Sequence, residues 1–410
     1  MDLLGWLIFL FALLFSVMLH ETGHFVTAKK FGMKCTRYFI GFGPTIWSTQ
    51  RGETEYGVKA IPLGGFVKIV GMTSMDEVDP EDEPRSFRRA PGWQRLIVLA
   101  AGCFMHFVLA AVLIFGLALG IGIENDNTAQ LGVVATCVPA TEQALTSGAA
   151  CTAHDAKSPA VLAGLKVGDT LTSFDGVQVS NWNQLASVIK DAKPGAAVTI
   201  GVVRDGKPLT LHTRLAAVSG RTGGYLGVAP AAVFQPTGPI GAISYVGSGF
   251  AQEITGSAHA LAQLPSAVST LFAKCPTGAA SLRAHAPCRA QTAAGNVTSV
   301  YGLAQDTGQA VAANVGWQYK VSFILLLVAS LNIWVGLLNL LPLLPLDGGH
   351  IWAVLWEMIR GRWARVRGRP NPGLVDYRKL LPVSFSIFLV LCLFSALLIL
   401  ADIVNPVNIG

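Results

Sequence analysis

The sequence predicts a polytopic α-helical membrane protein: about four transmembrane helices, a membrane-associated β-hairpin region and an extracytoplasmic β-rich domain. Three observations lead there. Of 410 residues, 52% are apolar and only 13% charged, a composition that needs a non-aqueous surrounding. Four apolar stretches, roughly Leu3–Phe25, Leu96–Ile123, Tyr319–Leu341 and Leu381–Ile403, are long enough to cross a bilayer. Between the second and third, from about Thr128 to Ala217, the pattern changes to short alternating strands separated by Gly-containing turns.

The first stretch lacks a basic start and a small-residue cleavage site, so it is read as a retained span rather than a signal peptide. Orientation follows from the basic residues. Lys29, Lys30, Lys34, Arg37, Arg85, Arg88, Arg89 and Arg95 lie between spans one and two, and Arg360 to Lys379 is similarly basic between spans three and four. The positive-inside rule puts these loops in the cytoplasm, and both termini and the block from about Glu124 to Gln318 outside. A formal charge of +6 concentrated beside spans argues for lipid rather than nucleic acid as the partner. In the outward block, Cys137 and Cys151, and Cys275 and Cys288, are spaced to form disulfides or remain as free thiols.

Inside the first span the chain reads His20, Glu21, Thr22, Gly23, His24. On a helix, residues four apart share a face, so both imidazoles can hold one Zn²⁺, and Glu21 beside them is placed as general base. Ionisable groups in hydrocarbon are costly and mark function. A third ligand is expected from Asp347, in Asn339-Leu-Leu-Pro-Leu-Leu-Pro-Leu-Asp347-Gly-Gly, where prolines interrupt the third span. His350 is read as structural.

Gly41-Phe42-Gly43-Pro44 and Gly64-Gly65, with alternating residues from Thr54 to Ile61 between them, read as a β-hairpin region. It is either a plain interfacial hairpin or an edge that adds a strand of substrate. The acidic run from Asp76 to Glu83 reads as a solvated loop. In the outward block, Ala163-Gly164-Leu165-Lys166-Val167-Gly168-Asp169 and its following strands and helix resemble a bacterial PDZ domain, whose groove takes an extended peptide. The resulting divisions are 1–123, N-terminal membrane part; 128–217, PDZ domain; 218–318, extracytoplasmic linker with amphipathic helical stretches in Ile240–Phe272; and 319–410, C-terminal membrane part.

Together the His-Glu-x-x-His span, the Gly-Phe-Gly-Pro loop, the PDZ-like unit and the Pro-Leu-Asp-Gly-Gly string resemble the site-2 protease family of intramembrane zinc proteases, in particular its regulator-of-sigma-E branch. The resemblance implies a bacterial inner-membrane endopeptidase acting on single-span substrates such as anti-sigma factors after a first extracytoplasmic cut. It also implies that His20, His24 and Asp347 bind Zn²⁺ and that Glu21 is the base. Asn339 would hold substrate backbone or help stabilise the oxyanion, and the region from Gly41 and Gly43 to Gly64 and Gly65 would present a strand edge. Two departures stand out. Ala101-Gly-Cys-Phe-Met-His106 carries His106 where the family has Asn, read here as a packing histidine, and only one PDZ unit is visible. The alternatives are a membrane metal transporter, disfavoured by the lack of repeats or a polar path, and a non-catalytic PDZ scaffold, disfavoured by the intact ligand and base set.

Overall fold

The computed structural model describes residues 3–72, 76–124, 128–142, 151, 155–231, 233–272, 299–312, 316–344, 346–370, 372–376, 378 and 380–404. Cys275 and Cys288 lie outside the described residues. The chain divides into two compact units, Met1–Gly116 with Ile240–Gly410, and Leu117–Pro239.

Among the described residues of the first unit, four helices are long and apolar enough to cross a membrane: Leu3–Lys30 (α1), Gly92–Gly120 (α2), Trp317–Asn339 (α7) and Pro382–Val404, within Leu381–Val404 (α9). On α1 the buried residues Gly5, Phe9, Ser16, His20, Gly23 and His24 fall on one helical face. Leu3, Leu4, Leu7 and Phe11 are exposed, as lipid-facing side chains must be. Gly23 is required where α1 meets α2, because a Cβ there would lie 2.5 Å from the Ala101 carbonyl oxygen.

After α1, strands Cys35–Arg51 (β1) and Thr54–Ile69 (β2) form more than a simple hairpin. Tyr38 is paired with Val67 on one side and with Tyr56 on the other, while Gln50 pairs with Glu55 near the turn. Both strands therefore fold over near Gly41 and Gly64 into a four-segment curl, with the Gly65 to Ile69 segment on an outer edge. Phe42, Ile46, Trp47 and Ile61 are exposed on its far half, an apolar surface suited to the membrane interface. The acidic run is a largely exposed loop, as its sequence predicts, with two of its carboxylates in ion pairs. Asp82 pairs with Lys34 at 2.6 Å, and Glu83 pairs with Arg88 and Arg89.

Pro239–Thr270 (α5) is one long helix whose first half packs Tyr245, Val246 and Phe250 against Ala110, Ile114, Ala329 and Ile333 of α2 and α7. Val300–Ala312 (α6) packs on α1 with small residues. A Cβ on Gly5 would lie 2.5 Å from Gly308 Cα, and Trp6 meets Tyr301 edge-on. Ser299, just before α6, donates both its N–H and its hydroxyl to Asp402 near the end of α9. Asp347–Val366 (α8) follows α7 after a short turn, and its buried Glu357 forms an ion pair with Arg95 of α2 at 2.7 Å.

The second unit has its own core, built from Leu171, Phe174, Leu185, Ile189, Ile200, Val202 and neighbours. Strands Thr170–Phe174 (β5), Val177–Gln178 (β6), Ala197–Arg204 (β7) and Lys207–Arg214 (β8) form a sheet in the order β6-β5-β7-β8. Asp175 and Asp205, each followed by a glycine and each at positive φ, make the two expected tight turns. Pro159–Ala163 (α3) is capped by the Ser158 hydroxyl and stopped by Gly164 at φ 77°. Trp182–Asp191 (α4) is capped by Asn181. The order of strands and helices is that expected of a PDZ-type unit. It continues past Ala217, because Val228–Pro230 (β9) pairs with Leu131–Val134 (β4), and Phe234–Gln235 (β10) with Ile123–Glu124 (β3). Cys137 and Cys151 form a disulfide.

Within this unit Arg204 binds the carboxylate of Asp169 at 2.7 Å, and Lys166 N–H donates to the same group. Burial pushes the Asp169 carboxyl up. The Arg204 guanidinium and the Lys166 N–H outweigh it and hold the group below its ordinary value.

Candidate active site

His20 and His24 lie one turn apart on the buried face of α1, and α2 crosses directly over them. The Val98 carbonyl accepts from His24 Nδ1 at 2.8 Å. That bond fixes the proton on Nδ1 and leaves the Nε2 lone pair pointing inward. Asp347 is the first residue of α8. It is presented by a tight turn in which Leu346 N–H bonds Leu343 and Gly349 N–H bonds Leu346. The turn packs so closely beneath the helix that a Cβ on Gly348 would lie 2.1 Å from the Leu341 carbonyl oxygen. Those contacts explain the Gly-Gly pair after the aspartate.

The structure brings the three sequence-predicted ligands together. Nε2 of His20 and Nε2 of His24 are 3.1 Å apart, and Asp347 Oδ2 is 3.1 Å from the first and 3.3 Å from the second. Two lone-pair nitrogens and a carboxylate oxygen repel one another unless a cation or shared protons lie between them. For a tetrahedral ion with ligands at about 2.0–2.1 Å, neighbouring ligand atoms are separated by about 3.3–3.4 Å. The observed triangle closely matches one face of such a tetrahedron, so among the described residues these three would fit a zinc ion.

Glu21, next to His20, turns toward the β-curl instead. Its Oε2 accepts the backbone N–H of Val67 at 3.0 Å. Since N–H groups alternate sides along a strand, this bond marks the edge of Gly65 and Val67 that β1 does not use. A Cβ on Gly65 would meet Glu21 Cγ at 3.6 Å, so Gly65 lies against the candidate base. Gly41, Gly43 and Gly64 sit elsewhere, at the fold-over of the curl, with φ of 88°, 82° and 130°. A Cβ on Gly41 would meet the Ile61 carbonyl oxygen at 2.8 Å and one on Gly64 the Phe42 ring at 2.8 Å, so both shape the bend. Asn339 is the half-buried last residue of α7.

Sequence reasoning missed three contributors. Gly102 is the point where α2 passes over the imidazoles: a Cβ there would lie 2.2 Å from His24 Nε2 and 2.9 Å from His20 Cε1. Its position, 78 residues from His24 in a helix full of small residues, carries no local signal. Cys103 directs its thiol toward Asp347 Oδ2 at 3.7 Å. Asn332, fully buried on α7, receives His106 Nδ1–H at 2.9 Å and the Ser16 hydroxyl on its Oδ1, while its Nδ2 donates to Val328 at 2.8 Å. The Val328 bond orients the amide, so both side chains donate to its oxygen. His106 is thus a hydrogen-bonded packing residue, with its ring 4.9 Å from that of His20.

Comparison with known proteins agrees with this geometry. Zinc metalloprotease Rip1 of Mycolicibacterium smegmatis is 37% identical, over 99% of this chain and 98% of its own. Rip1 of Mycobacterium tuberculosis is 35% identical over the same shares. A putative zinc metalloprotease of Fusobacterium nucleatum is 30% identical over 84% of this chain and 85% of its own. The model of peptidase family M50 matches residues 8–371, a span that takes in His20, Glu21, His24 and Asp347. With both the α1 face and the Asp347 turn inside that match, the chain belongs to peptidase family M50, the site-2 proteases.

Proposed function

We propose that this protein is an intramembrane zinc endopeptidase in which His20, His24 and Asp347 hold the metal and Glu21 is the general base. The observation that carries the reading is the His20–His24–Asp347 triangle: two imidazoles buried on a helix long enough to span a bilayer, a partly buried carboxylate at the start of α8, and Glu21 on the helical position next to His20. Zinc, when bound, polarises the scissile carbonyl and acidifies water at the open position. Glu21 takes a proton from the attacking water and returns it to the leaving amine. The Val67 N–H steadies the Glu21 carboxylate on the side away from the imidazoles, and Gly65 leaves room for backbone to approach it.

A substrate helix shields its carbonyls in internal hydrogen bonds and must open before attack. The outer edge at Gly65, beside the Val67 N–H that Glu21 takes, offers that opened segment a strand partner. Asn339 is assigned to holding substrate backbone nearby.

Substrates are single-span membrane proteins such as anti-sigma factors, cut after a first extracytoplasmic cleavage. The site lies in the bacterial inner membrane, with both termini and the PDZ unit outside. The basic loops on one side of the spans support this orientation, and so does the disulfide of the Leu117–Pro239 unit, since such bonds persist in oxidising compartments. The test is Glu21→Gln in the full chain. It is expected to lower cleavage of a membrane-anchored substrate by about 10²–10⁴-fold while one zinc per chain remains; unchanged cleavage would refute the assignment.

A further inference from the structure

On α8, the buried side faces Arg95 and the core through Val354 and Glu357. The opposite side carries Trp352, Trp356, Ile359, Trp363 and Val366, each more than half exposed. Their spacing of four, three, four and three residues puts them in one stripe, with Arg360 and Arg362 on its two flanks. The Arg367 guanidinium covers the Trp363 ring at 4.0 Å. Tryptophan and arginine arranged this way mark a helix at the boundary between acyl chains and headgroups.

Beside this stripe is a half-open cavity of about 600 Å³, lined by α8, residues 372–376 and the start of α9. Its walls are mostly apolar, with Trp352, Trp356, Val383 and Ile387 prominent. Two charged groups reach it, Arg360 and Asp376. Asp376 accepts the Arg378 N–H at 3.1 Å. Arg360 donates one Nη2–H to the Gly373 carbonyl at 2.9 Å, but its Nε is buried and has no hydrogen-bond partner among the described residues. A buried guanidinium N–H left unspent is costly. It calls for an anionic oxygen, and the tryptophans and aliphatic walls call for hydrocarbon attached to it.

We propose that this cavity binds one phospholipid of the surrounding bilayer, with the phosphate on Arg360 and an acyl chain along Trp352, Val383 and Ile387. The Arg360 guanidinium among aromatic and aliphatic walls, and the helices apolar enough to cross a membrane, single out lipid over a soluble phosphate or a partner protein. Phosphate recognition through a guanidinium is sequence-neutral toward the headgroup beyond it, so ethanolamine, glycerol and choline lipids all qualify. The site shares its helix with Asp347, and Gly349 is part of its wall.

The experiment is native mass spectrometry of the full, delipidated chain titrated with phospholipid, diacylglycerol or inorganic phosphate. Wild type is expected to retain one phospholipid, with diacylglycerol at least tenfold weaker and inorganic phosphate unable to displace it. Arg360→Leu should weaken phospholipid at least tenfold and bring it level with diacylglycerol. Val383→Trp, which fills the cavity and keeps Arg360, should exclude both lipids if Arg360→Leu fails to fold. Equal binding of diacylglycerol and phospholipid by wild type, displacement by inorganic phosphate, or wild-type binding by either folded variant would overturn the proposal. Zinc content, read in the same spectra, separates these outcomes from any failure of the metal assignment.

Discussion

Glu21 Oε2 accepts the backbone N–H of Val67 at 3.0 Å, joining the candidate base to the outer edge of the β-curl. One residue thereby touches both the metal-binding face of α1 and the strand proposed to receive substrate.

Val67→Pro removes that N–H, together with part of the side chain's packing on the cluster around Ile69 and Val98. Proline is tolerated on a strand edge where the lost donor points away from the neighbouring strand. The variant is expected to keep its zinc and lose about tenfold or more in kcat, equivalent to about 1.4 kcal/mol of barrier. Full activity in a reconstituted cleavage assay would show that the bond is incidental.

Gly102→Ala should act on the metal instead. Its Cβ would fall 2.2 Å from His24 Nε2, and the Val98 bond prevents the ring from turning away. Zinc affinity is expected to fall at least about tenfold, the scale seen when the support of a ligand is lost. Gly116→Ala, on the same helix with open space around it, should leave zinc titrations unchanged.

His106→Leu tests the polar contact among α1, α2 and α7. Loss of the ring N–H withdraws one of the two donors to Asn332 Oδ1. The expected cost is about 1–3 kcal/mol, read as earlier thermal unfolding in detergent. His106→Gln, which can restore a donor, should recover part of it.

In the Leu117–Pro239 unit the pair of Asp169 and Arg204 predicts a pH dependence. The folded state holds the Asp169 carboxyl below its ordinary value, so the unfolded chain takes up a proton first. Its contribution to stability is complete above about pH 4 and declines as pH falls toward the lowered folded value. Hydrogen exchange of β5 and β7 in the full chain should rise on acidification in wild type, and less so in Asp169→Asn.

The parts of this structure that were legible in sequence are those with a local signal. His20, Glu21 and His24 share a five-residue motif, the spans announce themselves by length, and Asp175-Gly176 and Asp205-Gly206 mark their turns. What escaped is set by long-range packing. Val300–Ala312 has no apolar stripe because it meets α1 through glycine and alanine, which bring backbones together without bulky side chains. Gly102 reads as one small residue among many until the imidazoles beneath it are seen. The curl of β1 and β2 depends on which segments pair, and alternation alone does not specify partners. The same limit hid β9 and β10, which are too short to register except through their pairing with β4 and β3.

The bond between Ser299 and Asp402 bears on biogenesis. During synthesis, a carboxylate near the end of the final helix enters the bilayer at a cost of several kcal/mol unless donors are at hand. Ser299 offers two, its N–H and its hydroxyl, from the residue that precedes α6, the helix packed along α1. The last candidate span is thereby tied, through Ser299, to the helix that packs on the first, so the two distant ends of the chain's membrane part are joined by one carboxylate.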